Sequence, residues 1–495
     1  MKKMKDCLTY CNPLPIPSIP RGKDEWYSQE YGMFSHENKP AGITTPDYRS
    51  ISDPTVFYHG GKWYLYPSYG MAWVSEDFAN WEHVRTEPYC PKYSPAIIPW
   101  GDKFLLTAWF CPLYESDSPT GPFRELGEFI MPDGSTFRPC DPGLFADDDG
   151  RIYLYAFSSV PCDAPHKFDC RIVGYELDRK DPRRVIRGPE VLFQMNPDHV
   201  WERKGFHNQN RAFGWVEGPH MVKHNGRYYL IYGAPDTCNS AYAMGVYYSD
   251  DGPLDNFIYQ KKNPLTYSRY GVVAGAGHGC VEHGPDNTLW AFYTVVSPSL
   301  HRYERRIGMD LVAVDENGEL YCPHGVTDTP QYAPGVVCDP VACNSPEWVS
   351  LTGRVPTEAS SQIYGREALY AVDEHSLTWW EPQREDPMPT LTCNLQGPFC
   401  VQAMRVWWRE LDLDYGKGIL PAPVCYTLEG KCDEEWVTLL DLRENKEERN
   451  VDYRVFSPTV CTEVRLRIHA WAPGTRIGVI DFAVFGAYPD QESEK

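Results

Sequence analysis

Five times in its first two thirds the chain repeats one short unit: a polar leader, an apolar run, a tight turn, then an aromatic-rich run. The first copy is Asp53-Pro54-Thr55-Val56-Phe57-Tyr58, turning at Gly60-Gly61 into Trp63-Tyr64-Leu65-Tyr66. The second opens Ser94-Pro95-Ala96-Ile97-Ile98 and turns at Gly101-Asp102; the third opens Asp141-Pro142-Gly143-Leu144-Phe145 and turns at Asp149-Gly150. The fourth, Glu217-Gly218-Pro219-His220-Met221-Val222, turns at Asn225-Gly226, and the fifth, His278-Gly279-Cys280-Val281, turns at Asp286-Asn287. Asn-Gly and Asp-Gly between apolar runs are hairpin signals, because such residues reach positive φ at little cost. The leaders are 41, 47, 76 and 61 residues apart. The first two steps match the ~40–50 residues of a four-stranded propeller blade, and the longer two leave room for insertions, of which 160–215 is the obvious one. The chain is therefore expected to be all-β, with a five-bladed β-propeller over residues 1–335. A sandwich of short strands would also use hairpins, but it would not give one position the same role five times.

In a propeller the innermost strand of each blade runs beside the central axis, so the five leaders should face one another at one mouth. Asp53, Ser94, Asp141, Glu217 and His278 would then converge from distant parts of the chain. Taken singly, Asp-Pro and Glu-Gly-Pro read as turn dipeptides; their shared place in the repeat is what favours function. Glycoside hydrolysis with inversion needs one carboxylate to activate water and one carboxylic acid to protonate the leaving oxygen, ~6.5–9.5 Å apart. A third carboxylate nearby would raise the acid's pKa. The balance of 47 Lys and Arg against 68 Asp and Glu gives a net charge of −21, which disfavours nucleic acid and anionic membrane as partners. Aromatic residues at 14% suit a neutral, ring-shaped ligand such as a sugar.

The segments Ser52-Asp53-Pro54, Cys140-Asp141-Pro142 with Asp147-Asp148-Asp149-Gly150, and Val216-Glu217-Gly218-Pro219 carry a resemblance from about Asp53 to Gly318. They resemble glycoside hydrolase family 43, five-bladed propeller enzymes that cleave with inversion. The resemblance implies Asp53 as general base, Asp141 as the residue that tunes the acid and orients substrate, and Glu217 as general acid. It implies that His278 lies near the axis, where it holds a water or, through water, a calcium ion. It also implies an arginine in the last blade that touches the tuning carboxylate and the sugar, matched to Arg306 by its twelve-residue distance from Gly318. Arg305 would point the other way if this is a strand, so only one of the two can serve. No cofactor is implied beyond that optional structural calcium.

Further candidates for contact with an oligosaccharide or glycoside substrate are Tyr69, Trp73, Trp109 and His220, with a core or inter-blade role an equal expectation for the three aromatics. The Asp147–Asp149 run occupies a hairpin and reads as a solvated turn. The long segment from Ile16 to Asp47 and the insertion before Glu217 would close one end of the mouth, favouring exo-action on a terminal sugar. The resemblance favours α-L-arabinofuranosides or β-D-xylosides, with galactosides as a further option. Two other classes compete: a sugar-binding protein without activity, and a metal-assisted deacylase centred on His278.

No stretch approaches the ~18–20 apolar residues that cross a bilayer, and no apolar signal-peptide run follows Met1-Lys2-Lys3. Seventeen cysteines without CxxC pairs or zinc spacing read as reduced, buried small hydrophobes, and a cytoplasmic location is expected. Nothing in the sequence signals an oligomeric state.

After Gly335 the rhythm stops. Alternating strands such as Val464-Arg465-Leu466-Arg467-Ile468, with Thr378-Trp379-Trp380 and Trp407-Trp408, predict a β-sandwich over residues 336–495. The order of its motifs resembles the discoidin (factor 5/8 C-type) family, which implies a jelly-roll sandwich serving either as a carbohydrate-binding module or as a buttress for the blades.

Overall fold

The computed structural model describes residues 8–17, 50–68, 72–84, 86, 93–161, 168–297, 304–413 and 419–489. Their regular structure is β, interrupted by three 3-10 turns. Blade one consists of Thr55–His59, Lys62–Tyr66, Ala72–Ser75 and Glu82–Val84, hydrogen-bonded in chain order. Blade two repeats the pattern with Ala96–Trp100, Lys103–Thr107, Leu113–Ser116 and Arg124–Gly127. Blade three is longer, with Cys140–Ala146, Ile152–Pro161, Phe168–Leu177 and Val185–Gln194. Blade four opens with Glu217–His224, Arg227–Ala234 and Ala243–Ser249, and blade five holds Gly277–His283, Leu289–Val296, Arg305–Val314 and Leu320–Tyr321. The hairpins fall where the turn residues put them: His59 pairs with Lys62 around Gly60-Gly61, and His224 with Arg227 around Asn225-Gly226. The first strand of each blade touches the first strand of the next, and that of blade five returns to blade one, closing the ring.

The closure is sealed by the N-terminal segment. Leu14 N donates to Ile307 O at 2.8 Å, and Thr9–Tyr10 pairs with Gln331–Tyr332. Tyr10, Leu14 and Ile16 pack with Trp63 and Trp73 of blade one and with Trp290, Phe292 and Ile307 of blade five in one apolar cluster. Truncating a buried tryptophan of this kind to alanine costs about 3–5 kcal/mol. Blades three and four are tied by Asp147, expected in a solvated turn but buried, which accepts from Lys223 Nζ and Tyr228 OH, each at 2.7 Å. The two partners come from the adjacent blade, which a hairpin read in isolation does not reveal.

Beyond the blades, Val349–Ser350, Thr357–Ala359, Thr390–Leu411, Cys425–Cys432, Glu435–Leu442, Val451–Ala470 and Arg476–Ala487 form one antiparallel network. Its two longest strands are broken by register shifts between Asn394 and Phe399 and between Val401 and Ala403. Residues 390–394 pair with 463–467, which pair onward with 427–431; residues 399–407 pair with 451–461 on one side and with Arg476–Ala487 on the other. Each long strand therefore serves two layers, and both halves line one core of Leu391, Met404, Trp408, Leu466 and Phe482. Trp380 is fully buried in that core, and the guanidinium groups of Arg366 and Arg409 lie over Trp379, 3.5 and 4.7 Å from its ring centroid.

The C-terminal sheet meets the propeller across the N-terminal segment. Arg405 pairs with Asp481 at 2.9 Å and donates to Asn12 O and Asp328 O, each at 2.5 Å.

Candidate active site

The blades deliver their leaders through a shared backbone device. Asp53, Ser94, Asp141 and His278 all have positive φ, at 53°, 48°, 42° and 36°, just before or within the first strand. In blade four that conformation belongs to Gly218, at 58°, and not to Glu217. The expected alignment is thus one residue off in this blade. A side chain at Gly218 would strike the His278 ring, since a Cβ there would lie 2.4 Å from its atoms. Glycine leaves the space for the histidine, while Glu217 enters the site from the preceding position.

Asp53 is almost wholly buried. Its Oδ2 accepts from Ser52 Oγ and Ser68 Oγ, each at 2.6 Å, and its backbone N–H donates to Thr294 Oγ1 at 2.9 Å. His278 Nδ1 lies 3.3 Å from Oδ1, and Arg305 Nη1 lies 3.8 Å from Oδ2. Burial alone would raise this carboxyl's pKa; the charges of His278 and Arg305 and the two serine hydroxyls outweigh it, and the group is held below its ordinary value. Oδ1 is buried without a hydrogen-bond partner.

Glu217 faces the opposite pressure. Burial pushes its carboxyl up, and His278, then the hydrogen bonds from Tyr242 and Trp215, pull against that without cancelling it. Tyr242 OH donates to Oε1 and Trp215 Nε1 to Oε2, each at 2.6 Å. Asp141 is pushed well above the ordinary range by burial and then by the negative charges of Glu217 and Asp53, with Ser94 and Arg305 opposing. Those cross-influences make the three acids close neighbours. His278 joins two of the blade leaders, with Nε2 3.2 Å from Ser94 Oγ and Nδ1 toward Asp53.

The arginine of the site is Arg305, not Arg306. Arg305 Nη1 bonds Tyr93 OH at 2.6 Å and faces Ser52 and Asp53, whereas Arg306 points to Glu304 and Asn450 on the other side of the strand. Adjacent strand residues leave on opposite faces, so a distance counted from Gly318 that is wrong by one inverts the assignment. Trp73 is also placed elsewhere: 1% exposed, it donates to Pro17 O at 2.8 Å and meets the His83 ring edge-on, as part of the core between blades one and five. Trp109 is half-buried at the blade-two rim, its indole N–H already donated to Cys140 Sγ at 3.0 Å, beside an exposed Phe110. His220 stands on the first strand of blade four, near His278; burial lowers its pKa to about 4, so it is neutral at pH 7. Tyr69 lies outside the described residues.

Tyr242 and Trp215 were not among the sequence candidates. Trp215 sits two residues before Glu217, the spacing that puts side chains on one face of an extended segment, and that signal was available. Tyr242 belongs to a later hairpin; its ring fits because Gly277 is opposite, where a Cβ would lie 2.4 Å away.

Calcium takes six to eight oxygen ligands. At contact distance the His278 ring meets one carboxylate and one hydroxyl, and among the described residues no group of three or more His, Cys, Asp or Glu side chains is arranged to hold a metal ion. The donor set therefore does not fit a directly ligated ion, an arrangement distinct from the expected contact through water; the His278 ring itself meets Asp53 and Ser94.

A xylosidase/arabinosidase 43B from Humicola insolens is 25% identical over 285 residues, which cover 50% of this chain and 48% of the relative. A xylosidase/arabinosidase from Butyrivibrio fibrisolvens is 30% identical over 140 residues, 28% of this chain and 22% of the relative. The chain thus spans about half or less of the length of these curated relatives. Among solved structures, a thermostable family-43 glycoside hydrolase is similar at a TM-score of 0.49 and 22% identity, over 66% of this chain and 99% of that one. A xylan beta-1,4-xylosidase from Bacillus halodurans C-125 gives 0.47 and 14%, over 90% and 99%. The model of glycosyl hydrolases family 43 matches residues 44–320, more than half of the chain and all five blade starts. On that match, with the acids gathered at the mouth of five like sheets, the chain belongs to glycosyl hydrolase family 43.

Proposed function

We propose that this protein is an inverting exo-glycosidase that removes terminal α-L-arabinofuranosyl or β-D-xylosyl residues. One arrangement carries the reading: Asp53, ringed by His278, Arg305, Ser52 and Ser68, is held below the ordinary carboxylate range, while Glu217, bonded by Tyr242 and Trp215, is pushed above it by burial. That pairing is the one a single-displacement hydrolysis requires. Asp53 Oδ1, the oxygen left without a hydrogen bond, takes a proton from water as the water oxygen attacks the anomeric carbon. The bond to the aglycone oxygen breaks, its electron pair leaves with that oxygen, and Glu217 supplies the proton. Asp141, raised by burial and by the charges of Glu217 and Asp53, holds its own proton beside them and is left to orient substrate, with Ser94 and Arg305 opposing that rise.

The exo preference rests on the added length before Asp53, of which residues 18–49 lie outside the described residues, and before Glu217. The sugar preference is supported by the two curated relatives, both named xylosidase/arabinosidase. Arylated α-L-arabinofuranoside, β-D-xyloside and β-D-galactoside test the reading together. Turnover of the first or second is expected; tight sugar binding with no turnover of any would replace the enzyme with a binding protein.

A further inference from the structure

At the start of the strand Arg305–Val314 successive side chains leave on opposite faces, Arg305 toward Asp53 and Arg306 toward Asn450 of the C-terminal sheet. Arg305, 1% exposed, lies among Ser52, Asp53 and Tyr93. Arg306 is also buried, but its guanidinium donates to Asn450 Oδ1 from Nε at 3.1 Å and from Nη2 at 2.6 Å, while Nη1 pairs with the Glu304 carboxylate. Asn450 is in turn held by its own sheet: Oδ1 accepts from Trp407 Nε1 at 2.9 Å, and Nδ2 donates to Trp408 O at 3.1 Å and Glu410 Oε2 at 3.0 Å. A planar fork bound on both edges has little freedom, so this contact fixes the backbone at residues 304–306 as well as one side chain. Fixing that backbone places the Cα from which Arg305 reaches Asp53. Buried charges interact steeply with distance, and a displacement of Arg305 would be felt at Asp53.

We infer that Asn450, in the C-terminal sheet, is a positioning residue for the propeller's base: by clamping Arg306 it sets where Arg305 stands, and Arg305 sets the charge around Asp53. The inference rests on the reading of Asp53 as base. It gives the C-terminal unit a share in the site through a buttress. A clamp that merely joined two units would leave the surroundings of Asp53 unchanged.

The groups that face Asp53 are Ser52, Ser68, His278, Arg305 and, as charges, Asp141 and the Tyr242 hydroxyl. Of these, Arg305 is the neighbour in sequence of the clamped arginine. The test is a ¹³C-carboxyl NMR titration of the full chain, with the Asp53 resonance identified by its loss in Asp53→Asn. Asn450→Ala should move the Asp53 midpoint upward, shift the acidic limb of kcat/KM with it, and lower kcat/KM by about 10-fold. Added to Arg305→Ala, the same change should move nothing further, since interacting residues are not additive. Arg306→Gln reaches the clamp from the propeller side and is judged by the same outcomes should Asn450→Ala fail to fold. Asp452→Asn is the control: Asp452 is buried in the same sheet against Tyr426 OH and Arg454, at 2.8 and 2.7 Å. It should lower stability and leave the Asp53 midpoint in place. An unmoved midpoint in Asn450→Ala, an equal shift in both backgrounds, or a shift in the control would each overturn the inference. If the midpoints behave as expected but no glycoside is turned over, the functional reading falls and the positioning role stands.

Discussion

The mouth of the propeller and its seam with the C-terminal sheet use the same materials, buried arginines and carboxylates, in opposite ways. At the seam, Arg405 is met by Asp481 and by the carbonyls of Asn12 and Asp328, so the charge taken out of water is answered by fixed partners. At the mouth, Asp53 Oδ1 and Asp141 Oδ1 are buried with no hydrogen-bond partner. Leaving a buried acceptor unmet costs roughly 1–3 kcal/mol, and folded proteins leave few of them. Around Arg405 the polar groups are spent on rigidity; at the mouth two carboxyl oxygens are acceptors that no protein hydrogen bond takes up.

The widest separation between the two regions should come from their acids. Asp53→Asn and Glu217→Gln should each lower kcat by at least 10²–10⁴-fold, the usual contribution of a general acid or base. Thermal unfolding should be unchanged or slightly later for Glu217→Gln, whose pKa burial raises, and earlier for Asp53→Asn, which takes the carboxylate partner from buried Arg305 and His278. Steady-state kinetics and calorimetry on the same samples check both halves. Near-normal turnover in either variant would remove that residue from its role.

At the seam the outcome should be reversed. Arg405→Met strands the Asp481 carboxylate, and breaking a buried pair from one side costs about 3–5 kcal/mol. Denaturant unfolding should register that loss, while kcat measured well below the unfolding transition should hold. A large fall in kcat with little loss of stability would erase the contrast.

Blade five supplies an intermediate case in Asp310. It is buried, accepts from Tyr293 OH at 2.5 Å and Thr327 Oγ1 at 2.6 Å, and burial raises its pKa from 3.8 to about 7. A carboxyl raised on folding contributes stability that is complete below about pH 4 and disappears as pH climbs through about 7. At ~1.4 kcal/mol per pKa unit, up to about 4 kcal/mol should fade across that window in the wild type. The same series on Asp310→Asn should lack this component. Parallel pH curves for the two proteins would assign the loss to another group.

How far the two regions could be read beforehand follows from the range of the interactions. Blade starts and hairpins are local: Asn225-Gly226 turns where it stands, and Asp53, Asp141 and His278 occupy the leader position that the repeat marks. Parity is also local but unforgiving. A count of one residue separates Arg305 from Arg306, and the same offset moves the leader of blade four from Glu217 to Gly218, whose missing side chain makes room for His278. Trp73 illustrates an ambiguity of composition, since an aromatic after a strand serves a core or a sugar equally well until its neighbours are known. Tyr242 and Asn450 depend on contacts between distant segments, and no pattern along the chain encodes such contacts.

A smaller effect sharpens the mouth itself. Tyr242→Phe removes the hydrogen bond to Glu217 Oε1 that opposes its raised pKa. The carboxyl should then hold its proton to higher pH, so the descending limb of the kcat/KM profile should move toward alkaline pH with its ascending limb unmoved. A shift of that limb toward acid would show that the tyrosine acts otherwise.

The central claim is that Asp53 and Glu217 work from the two sides of one bond with water between them. Proton NMR of the first sugar released from an aryl α-L-arabinofuranoside or β-D-xyloside, recorded before mutarotation, tests it directly. The account requires the first-formed anomer to be β-L-arabinofuranose or α-D-xylose; release of the anomer with the substrate's own configuration would contradict it.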